Sequence, residues 1–117
     1  MDKNLRVALM VVVAIGLLGA CGGDEEELPD VECNGTVPAY EDVAAFDKCS
    51  TCHSSEKTGA QRNQAPADIN FNTESASRAH AEDAAHEVFE GEMPPAGSGI
   101  TLTSAEKDAL YKWALCE

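Results

Sequence analysis

Apolar residues recur at helical spacing in several parts of the chain, and nowhere do they alternate with polar residues strongly enough to predict a strand. Val43 and Phe46, three positions apart, mark the apolar side of a first helix, and Pro38 suits the first turn of that helix. Because the later apolar stripes also follow the helical period, the pattern predicts an all-α domain.

Two further helices are predicted in the second half of the chain. The middle helix should run from about residue 75 to residue 90, and its apolar face consists of Ala81, Ala85, Val88 and Phe89. The last helix should begin at the capping box Thr103-Ser104-Ala105-Glu106. Its apolar stripe consists of Ala105, Ala109, Trp113 and Cys116, with Leu110 at the edge.

The most apolar segment of the chain lies near its start. Lys3 and Arg6 precede an unbroken run of apolar or small residues from Val7 to Ala20. This run is shorter than the about 20 residues that span a bilayer, and its length suits the apolar region of a signal peptide. We therefore predict a signal peptide over residues 1–20 and export of the remaining chain.

The end of this segment, Leu18-Gly19-Ala20-Cys21, resembles a bacterial lipobox, in which the signal is removed before a cysteine that carries lipid. We predict a lipid on Cys21 that holds the chain on a bacterial membrane, with its domain facing the periplasm or the cell exterior. Residues 21–36 would form a flexible acidic tether. The alternatives are an ordinary signal peptide with an incidental cysteine, or a short membrane anchor.

Composition and charge narrow the functional classes. The 117-residue chain has 21 acidic and 8 basic residues, so its net charge is −13, and removal of residues 1–20 makes it −14. A nucleic-acid partner is not expected, because phosphate contacts require a basic face. The length allows one domain, over residues 37–117, whose few large apolar side chains make a marginal core. A cofactor or a cross-link is therefore expected to complete that core.

A cofactor motif follows the first apolar stripe: Cys49-Ser50-Thr51-Cys52-His53. The spacing C-x-x-C-H is typical of covalent attachment of c-type haem. Two cysteines three positions apart lie on one side of a helical turn, so both sulfur atoms can reach the vinyl groups along one haem edge. We predict one covalent haem c, bound by Cys49 and Cys52, with His53 as an axial ligand of the iron.

Three other kinds of cysteine site fit the sequence less well. A zinc ribbon requires a second C-x-x-C pair, which the chain lacks. A four-cysteine iron–sulfur site would have to include Cys33 and Cys116, whose spacing is not that of a cluster. A thioredoxin-type motif expects a βαβ context, whereas the surrounding sequence is rich in alanine and helical in pattern.

Met93 is the candidate for the second axial ligand, because it is the only methionine after residue 20 and is followed by Pro94 and Pro95, which stiffen its loop. A thioether favours reduced iron and raises the reduction potential relative to two histidines. The alternative is that Met93 only fills space. His80 and His86 are competing ligands; His80 flanks the apolar face and is the better one, whereas His86 is expected to be exposed.

The motif from Cys49 to His53, the loop Met93-Pro94-Pro95 and the aromatic Trp113 of the last helix together resemble a class I monohaem c-type cytochrome, here in a bacterial lipoprotein form. The resemblance covers residues 37–117. It implies a small cytochrome c fold of three to four helices around one haem. It also implies that the first and last helices cross nearly at right angles, with Phe46 and Trp113 in contact.

The resemblance further implies that the carbonyl group of Pro66 accepts the Nδ1 proton of His53 and so fixes the tautomer of the ring. Many family members surround the exposed haem edge with lysines, whereas only Lys48 and Lys57 lie near this motif. Partner assignments from lysine-rich relatives therefore do not transfer. The negative charge instead predicts redox partners with basic docking surfaces.

The odd number of cysteines, five, divides among these roles. Cys21 would carry lipid and Cys49 and Cys52 the haem, which leaves Cys33 and Cys116. Outside the cytoplasm such a pair is expected to be oxidised, and a bond between them would join the start of the domain to its last helix. Two free thiols, or an intermolecular bridge through Cys33, remain the alternatives.

The function expected from these features is transfer of single electrons between respiratory redox partners, by a monomer or by a subunit of a complex rather than by an enzyme. Housing the haem requires a cavity between Cys52, His53 and Met93. One alternative is a haem enzyme or ligand sensor, of peroxidase or gas-binding type, in which Met93 is displaceable. Another is a structural lipoprotein with an accidental C-x-x-C-H sequence.

Overall fold

The computed structural model describes residues 27–116, so the predicted signal peptide and Cys21 lie outside the described residues. Within this range the chain forms α-helices and short 3-10 helices and no strand, which confirms the all-α prediction for this part of the chain. The α-helices are α1 (Ala45–Cys49), α2 (Glu74–Ala79), α3 (Ala81–Phe89) and α4 (Ser104–Leu115). The 3-10 helices are Tyr40–Asp42 and Gly59–Arg62.

The first predicted helix is interrupted before the cysteine motif. The 3-10 helix Tyr40–Asp42 ends at Val43, whose ψ of 85° is not helical, and α1 begins only at Ala45. Val43 and Phe46 are both buried, as their spacing predicts. The break therefore shortens the helix without moving its apolar side away from the core.

The middle helix is also divided. His80 has φ of −127° and ψ of 25°, and it ends α2 and precedes α3. The buried stripe of α3 includes Ala81, Ala85 and Val88, as predicted. Phe89 does not belong to this stripe, contrary to the prediction, because it is 42% exposed and packs edge-on against Tyr111 at the margin of the core.

The last helix begins as predicted, with a capping box. The Thr103 side chain accepts a hydrogen bond from the Glu106 amide, and the Glu106 carboxylate accepts one from the Thr103 amide. The predicted stripe needs correction, because Leu110 lies at the centre of the buried side whereas Ala105 is exposed. Since α4 packs against both α1 and α3, its largest apolar side chains face the space between those helices.

The core centres on Trp113, which is 1% exposed. The Phe46 ring meets it edge-on with centroids 4.8 Å apart, so the predicted contact between α1 and α4 is present. The Arg78 guanidinium lies 3.6 Å from the centre of the Trp113 ring and donates to the Trp113 carbonyl. None of the helices among residues 27–116 is long and apolar enough to cross a membrane.

Candidate haem-binding site

The cysteine motif continues the winding of α1 beyond the last residue of that helix. The amides of Ser50, Cys52 and His53 donate backward to carbonyl groups of α1, and His53 donates to the carbonyl group of Cys49 over 2.9 Å. This helical turn places Cys49 and Cys52 on the same side of the chain. Both side chains and that of His53 line one cavity, which is the arrangement that the motif predicts.

The cavity measures about 640 Å³, within the range of small-molecule and cofactor sites. Its wall is mainly apolar. The apolar side chains come from the loop after the motif, from α3 and from the loop before α4: Ile69, Phe71, Ala84, Val88, Ile100 and Leu102. Such a wall suits a large planar aromatic group with few polar contacts.

Met93 lies in the same wall as Pro94 and Pro95. The chain turns sharply after α3, because the amides of Glu92 and Met93 both donate to the carbonyl group of Glu87, at 2.9 and 3.0 Å. Met93 packs against the core from this turn. The structure thus brings together Cys49, Cys52, His53 and Met93, although 40 positions separate the last two in the chain.

The His53 ring is held by a backbone carbonyl group, but not by that of Pro66. Nδ1 of His53 lies 3.2 Å from the carbonyl oxygen of Ile69, and an oxygen acceptor in this bond requires the proton on Nδ1. Nε2 is then the nitrogen that remains free to ligate a metal. The Pro66 carbonyl instead accepts from the Arg62 guanidinium, which corrects the role predicted for Pro66.

Burial shifts the pKa values of two side chains of the motif, His53 and Cys49. Desolvation lowers the pKa of His53, with a partly opposing effect from the hydrogen bond to Ile69, so the ring is neutral and suited to ligation at neutral pH. Desolvation raises the pKa of the Cys49 thiol to about 11. A neutral imidazole and a protonated thiol therefore lie in this wall of the cavity.

The two competing histidines occupy other positions than the sequence pattern predicts. His86, expected to be exposed, has a side chain that is only 22% exposed and lines the cavity. His80, the predicted better competitor, lies at the break between α2 and α3, with Nδ1 3.6 Å from a carboxylate oxygen of Asp83. Of these two competitors, His86 is thus the one that shares the cavity with Met93.

The remaining cysteines lie at disulfide distance. The Sγ atoms of Cys33 and Cys116 are 2.01 Å apart, which joins the segment before the first 3-10 helix to the end of α4. Lys112 also donates to the carbonyl group of Asn34. Part of the segment predicted as a tether therefore contacts the last helix.

The residues around the cavity fit a covalently bound haem c. Two thiols, one imidazole and one thioether are the groups that such a haem requires, and the remaining wall is mainly apolar. Among residues 27–116, no group of three or more His, Cys, Asp or Glu side chains is arranged to hold a bare metal ion.

Nothing in the sequence pattern marks Arg62 and Ile69, the two residues that hold the loop beside His53. Their contacts use backbone carbonyl oxygens as acceptors, and these leave no mark on the sequence.

Comparison of the chain with protein-family models, with curated proteins and with solved structures finds no match in any of the three.

Proposed function

We propose that this chain is a monohaem c-type cytochrome that carries single electrons. The observation that supports this function best is the shared cavity of Cys49, Cys52, His53 and Met93. Cys49 and Cys52 would hold haem c through thioether bonds, and His53 and Met93 would ligate its iron. The bound haem supplies a one-electron iron couple, whose potential a methionine ligand raises.

The side chains around the cavity suit electron transfer better than substrate turnover. If His53 and Met93 both ligate the iron, no coordination position would remain for a substrate. Pro94 and Pro95 restrict the backbone next to Met93, and the turn at Glu87 fixes the start of the same loop. A loop held at both sides of its ligand favours a site that changes little between oxidation states.

The same proposal includes a membrane anchor and an acidic surface that attracts redox partners. A lipid on Cys21 would keep it beside membrane-bound donors and acceptors, and the net charge of −14 after signal removal would attract partners with basic surfaces. Association with such partners should slow as the salt concentration rises, because screening weakens the attraction.

The proposal is tested by producing the full chain together with a c-type haem maturation system. We expect haem that stays attached after denaturation, and slow or absent binding of carbon monoxide to the reduced protein. Met93→Ala should make carbon monoxide binding fast, because it opens one coordination position. His86→Ala is the matched control, since His86 lines the same cavity and its removal should leave binding slow.

Two results would reject the proposal in favour of a specific alternative. Rapid carbon monoxide binding to the unsubstituted protein would indicate a haem enzyme or a ligand sensor with a displaceable Met93. A chain that matures without attached haem would indicate a structural lipoprotein. Fast binding in His86→Ala instead of Met93→Ala would assign the second axial ligand to His86.

A further inference from the structure

Arg62 is a buried cation directly behind the loop that carries the His53 contact. Its side chain is only 5% exposed, and it is not among the residues that line the cavity. An arginine has five N–H donors, and here five oxygen atoms accept from it. The acceptors are the carbonyl oxygens of Ser54, Ala65, Pro66 and Ile69 and the side-chain oxygen of Asn70.

These acceptors belong to one loop, which leaves the haem motif immediately after His53. Ser54 lies at the start of the loop and Asn70 at its end, so a single guanidinium connects both ends and the middle. Backbone carbonyl groups cannot be exchanged by substitution of the residues that carry them. The position of this loop therefore depends on Arg62 more than on any other side chain within it.

The Ile69 carbonyl connects this arrangement to the proposed iron ligand. Its oxygen accepts from Nδ1 of His53 over 3.2 Å and from Arg62 over 3.0 Å. A carbonyl oxygen has two lone pairs, so both bonds can exist together. Arg62 therefore determines where the acceptor of the His53 hydrogen bond lies.

The charge of Arg62 has no carboxylate partner among the ion pairs of residues 27–116, which join Lys48 to Glu106, His80 to Asp83 and His86 to Glu87. A buried cation without a counter-charge acts over a longer range than an exposed one, because water screens it little. Addition of one electron to the nearby site makes that site more negative, and the cation favours this change.

We propose that Arg62 is the positioning residue of the haem site: it holds the Ile69 carbonyl against His53 and raises the reduction potential. The inference rests on the proposed function, because the potential is that of the haem bound beside His53. The two effects of Arg62 are separable. Its hydrogen bonds set the position of the Ile69 carbonyl beside His53, and its positive charge stabilises the reduced state.

The test compares the haem-loaded protein with its Arg62→Gln variant and with Arg78→Gln as the matched control. Arg78 is the other arginine of the described chain, and it also donates to a backbone carbonyl, but it contacts Trp113 at the opposite end of α4 from the capping box. The midpoint potential is measured by spectroscopic titration. Solvent exchange of the His53 Nδ1 proton in the reduced protein is measured by NMR.

We expect Arg62→Gln to speed exchange of the His53 proton about tenfold or more, since several charged hydrogen bonds to the loop are lost. Its midpoint potential should be lower than that of Arg62→Lys, which keeps the positive charge. Arg78→Gln should leave both values at those of the unsubstituted protein. Equal values for Arg62→Gln and the unsubstituted protein would overturn the inference. Equal changes in both variants would also overturn it, because they would reflect loss of stability alone.

A second variant covers the case in which Arg62→Gln does not fold. Arg62→Lys keeps the charge but has three donors in place of five, so it cannot bind all the loop acceptors at once. It should still speed exchange of the His53 proton, and unchanged exchange would overturn the inference. Absence of attached haem in the unsubstituted chain would refute the proposed function, and this inference with it. An unchanged midpoint potential and an unchanged exchange rate in a haem-loaded Arg62→Gln variant would refute only this inference.

Discussion

Asn63 and Gln64 occupy a backbone conformation that side chains other than glycine rarely adopt. Their φ values are 47° and 68°, and they follow Arg62 directly. The turn that they form lets the Arg62 carbonyl accept from the Ala65 amide over 2.9 Å. Two successive left-handed residues thus fold the loop back around the guanidinium, and each carries a steric cost of about 1–2 kcal/mol relative to the right-handed form.

The cost at Gln64 leads to a prediction of increased stability. Gln64 is exposed and glycine adopts positive φ freely, so Gln64→Gly should raise the free energy of unfolding by up to about 1 kcal/mol. Urea denaturation would measure the change. Gln61→Gly is the control, and it should destabilise instead, because the Gln61 side chain accepts from the Thr58 amide. A loss of stability in Gln64→Gly would contradict the assignment of strain to this turn.

The residues that sequence reasoning could and could not identify differ in the kind of contact they make. Cys49, Cys52 and His53 form a local motif, and Met93 has no rival methionine after residue 20, so motif and composition were enough to predict them as parts of one site. His86 was misplaced because periodicity describes which side of a helix is buried in the core. It does not reveal a cavity that reaches the flank of the same helix.

At the scale of whole elements, apolar periodicity located the helices but not their breaks. The irregular backbone at Val43 and at His80 divides two segments that the pattern predicts as continuous. Neither residue is a proline or a glycine, so no local signal marks these positions. The capping box of α4 was predictable, because a cap depends only on residues within the first turn of its own helix.

The start of α4 also joins that helix to α1. Lys48 donates to the Glu106 carboxylate and to the Thr101 carbonyl group, each over 2.8 Å, while Glu106 completes the capping box with Thr103. The hydrogen bond from Lys48 is the main cause that lowers the pKa of Glu106, followed by the bond from the Thr103 amide. The Glu106 carboxylate therefore both caps α4 and joins α4 to α1.

This pKa shift predicts a dependence of stability on pH. Because the pKa of Glu106 is lower in the folded than in the unfolded protein, its contribution is present above an ordinary carboxyl pKa and is lost as the pH falls through the folded value. The unsubstituted protein should therefore be more stable than Glu106→Gln at pH 7, and this difference should shrink below about pH 4.5.

Urea denaturation over a series of pH values would follow this difference. The control is Glu56→Gln, which removes an exposed glutamate outside α4. Its free energy of unfolding should stay close to that of the unsubstituted protein throughout the pH series. Added salt should reduce the effect of Glu106→Gln at pH 7, because the ion pair with Lys48 is partly exposed. A difference that is constant from pH 7 to pH 3 would contradict the assignment to the carboxylate charge.

At the scale of the whole molecule, two cross-links, one of them proposed, would hold a small core. The first is the proposed haem, which would connect the α1 motif to the Met93 loop. The second joins Cys33 to Cys116, separated by 83 positions. The core between them relies on aromatic contacts around Trp113, with alanine making up much of α3. A domain with so few large aliphatic residues is marginal without such links.

The Cys33–Cys116 bond has a consequence for the proposed membrane anchor. Only 12 positions separate Cys33 from Cys21, so a lipidated chain could place the domain at most about 40 Å from its anchor. Opening the bond would leave the segment before the 3-10 helix Tyr40–Asp42 attached to α4 only by non-covalent contacts, among them the hydrogen bond from Lys112 to the Asn34 carbonyl. In a lipidated chain the bond would therefore shorten the proposed tether, and it joins the start of the domain to the end of α4.

Removal of this bond should cost much of the stability of the domain. In the chain-entropy description, closing a loop of about 80 residues stabilises the folded state by about 4.5 kcal/mol. Cys33→Ala should lower the free energy of unfolding by about that amount, and reduction of the unsubstituted protein should reproduce the loss. Cys33 is exposed whereas Cys116 is buried, so Cys33→Ala removes the bond with little change in packing, and Cys116→Ala should cost more. Two free thiols in the unreduced, mature protein would contradict the bond, and a Cys33→Ala variant that is as stable as the oxidised parent would contradict its role in stability.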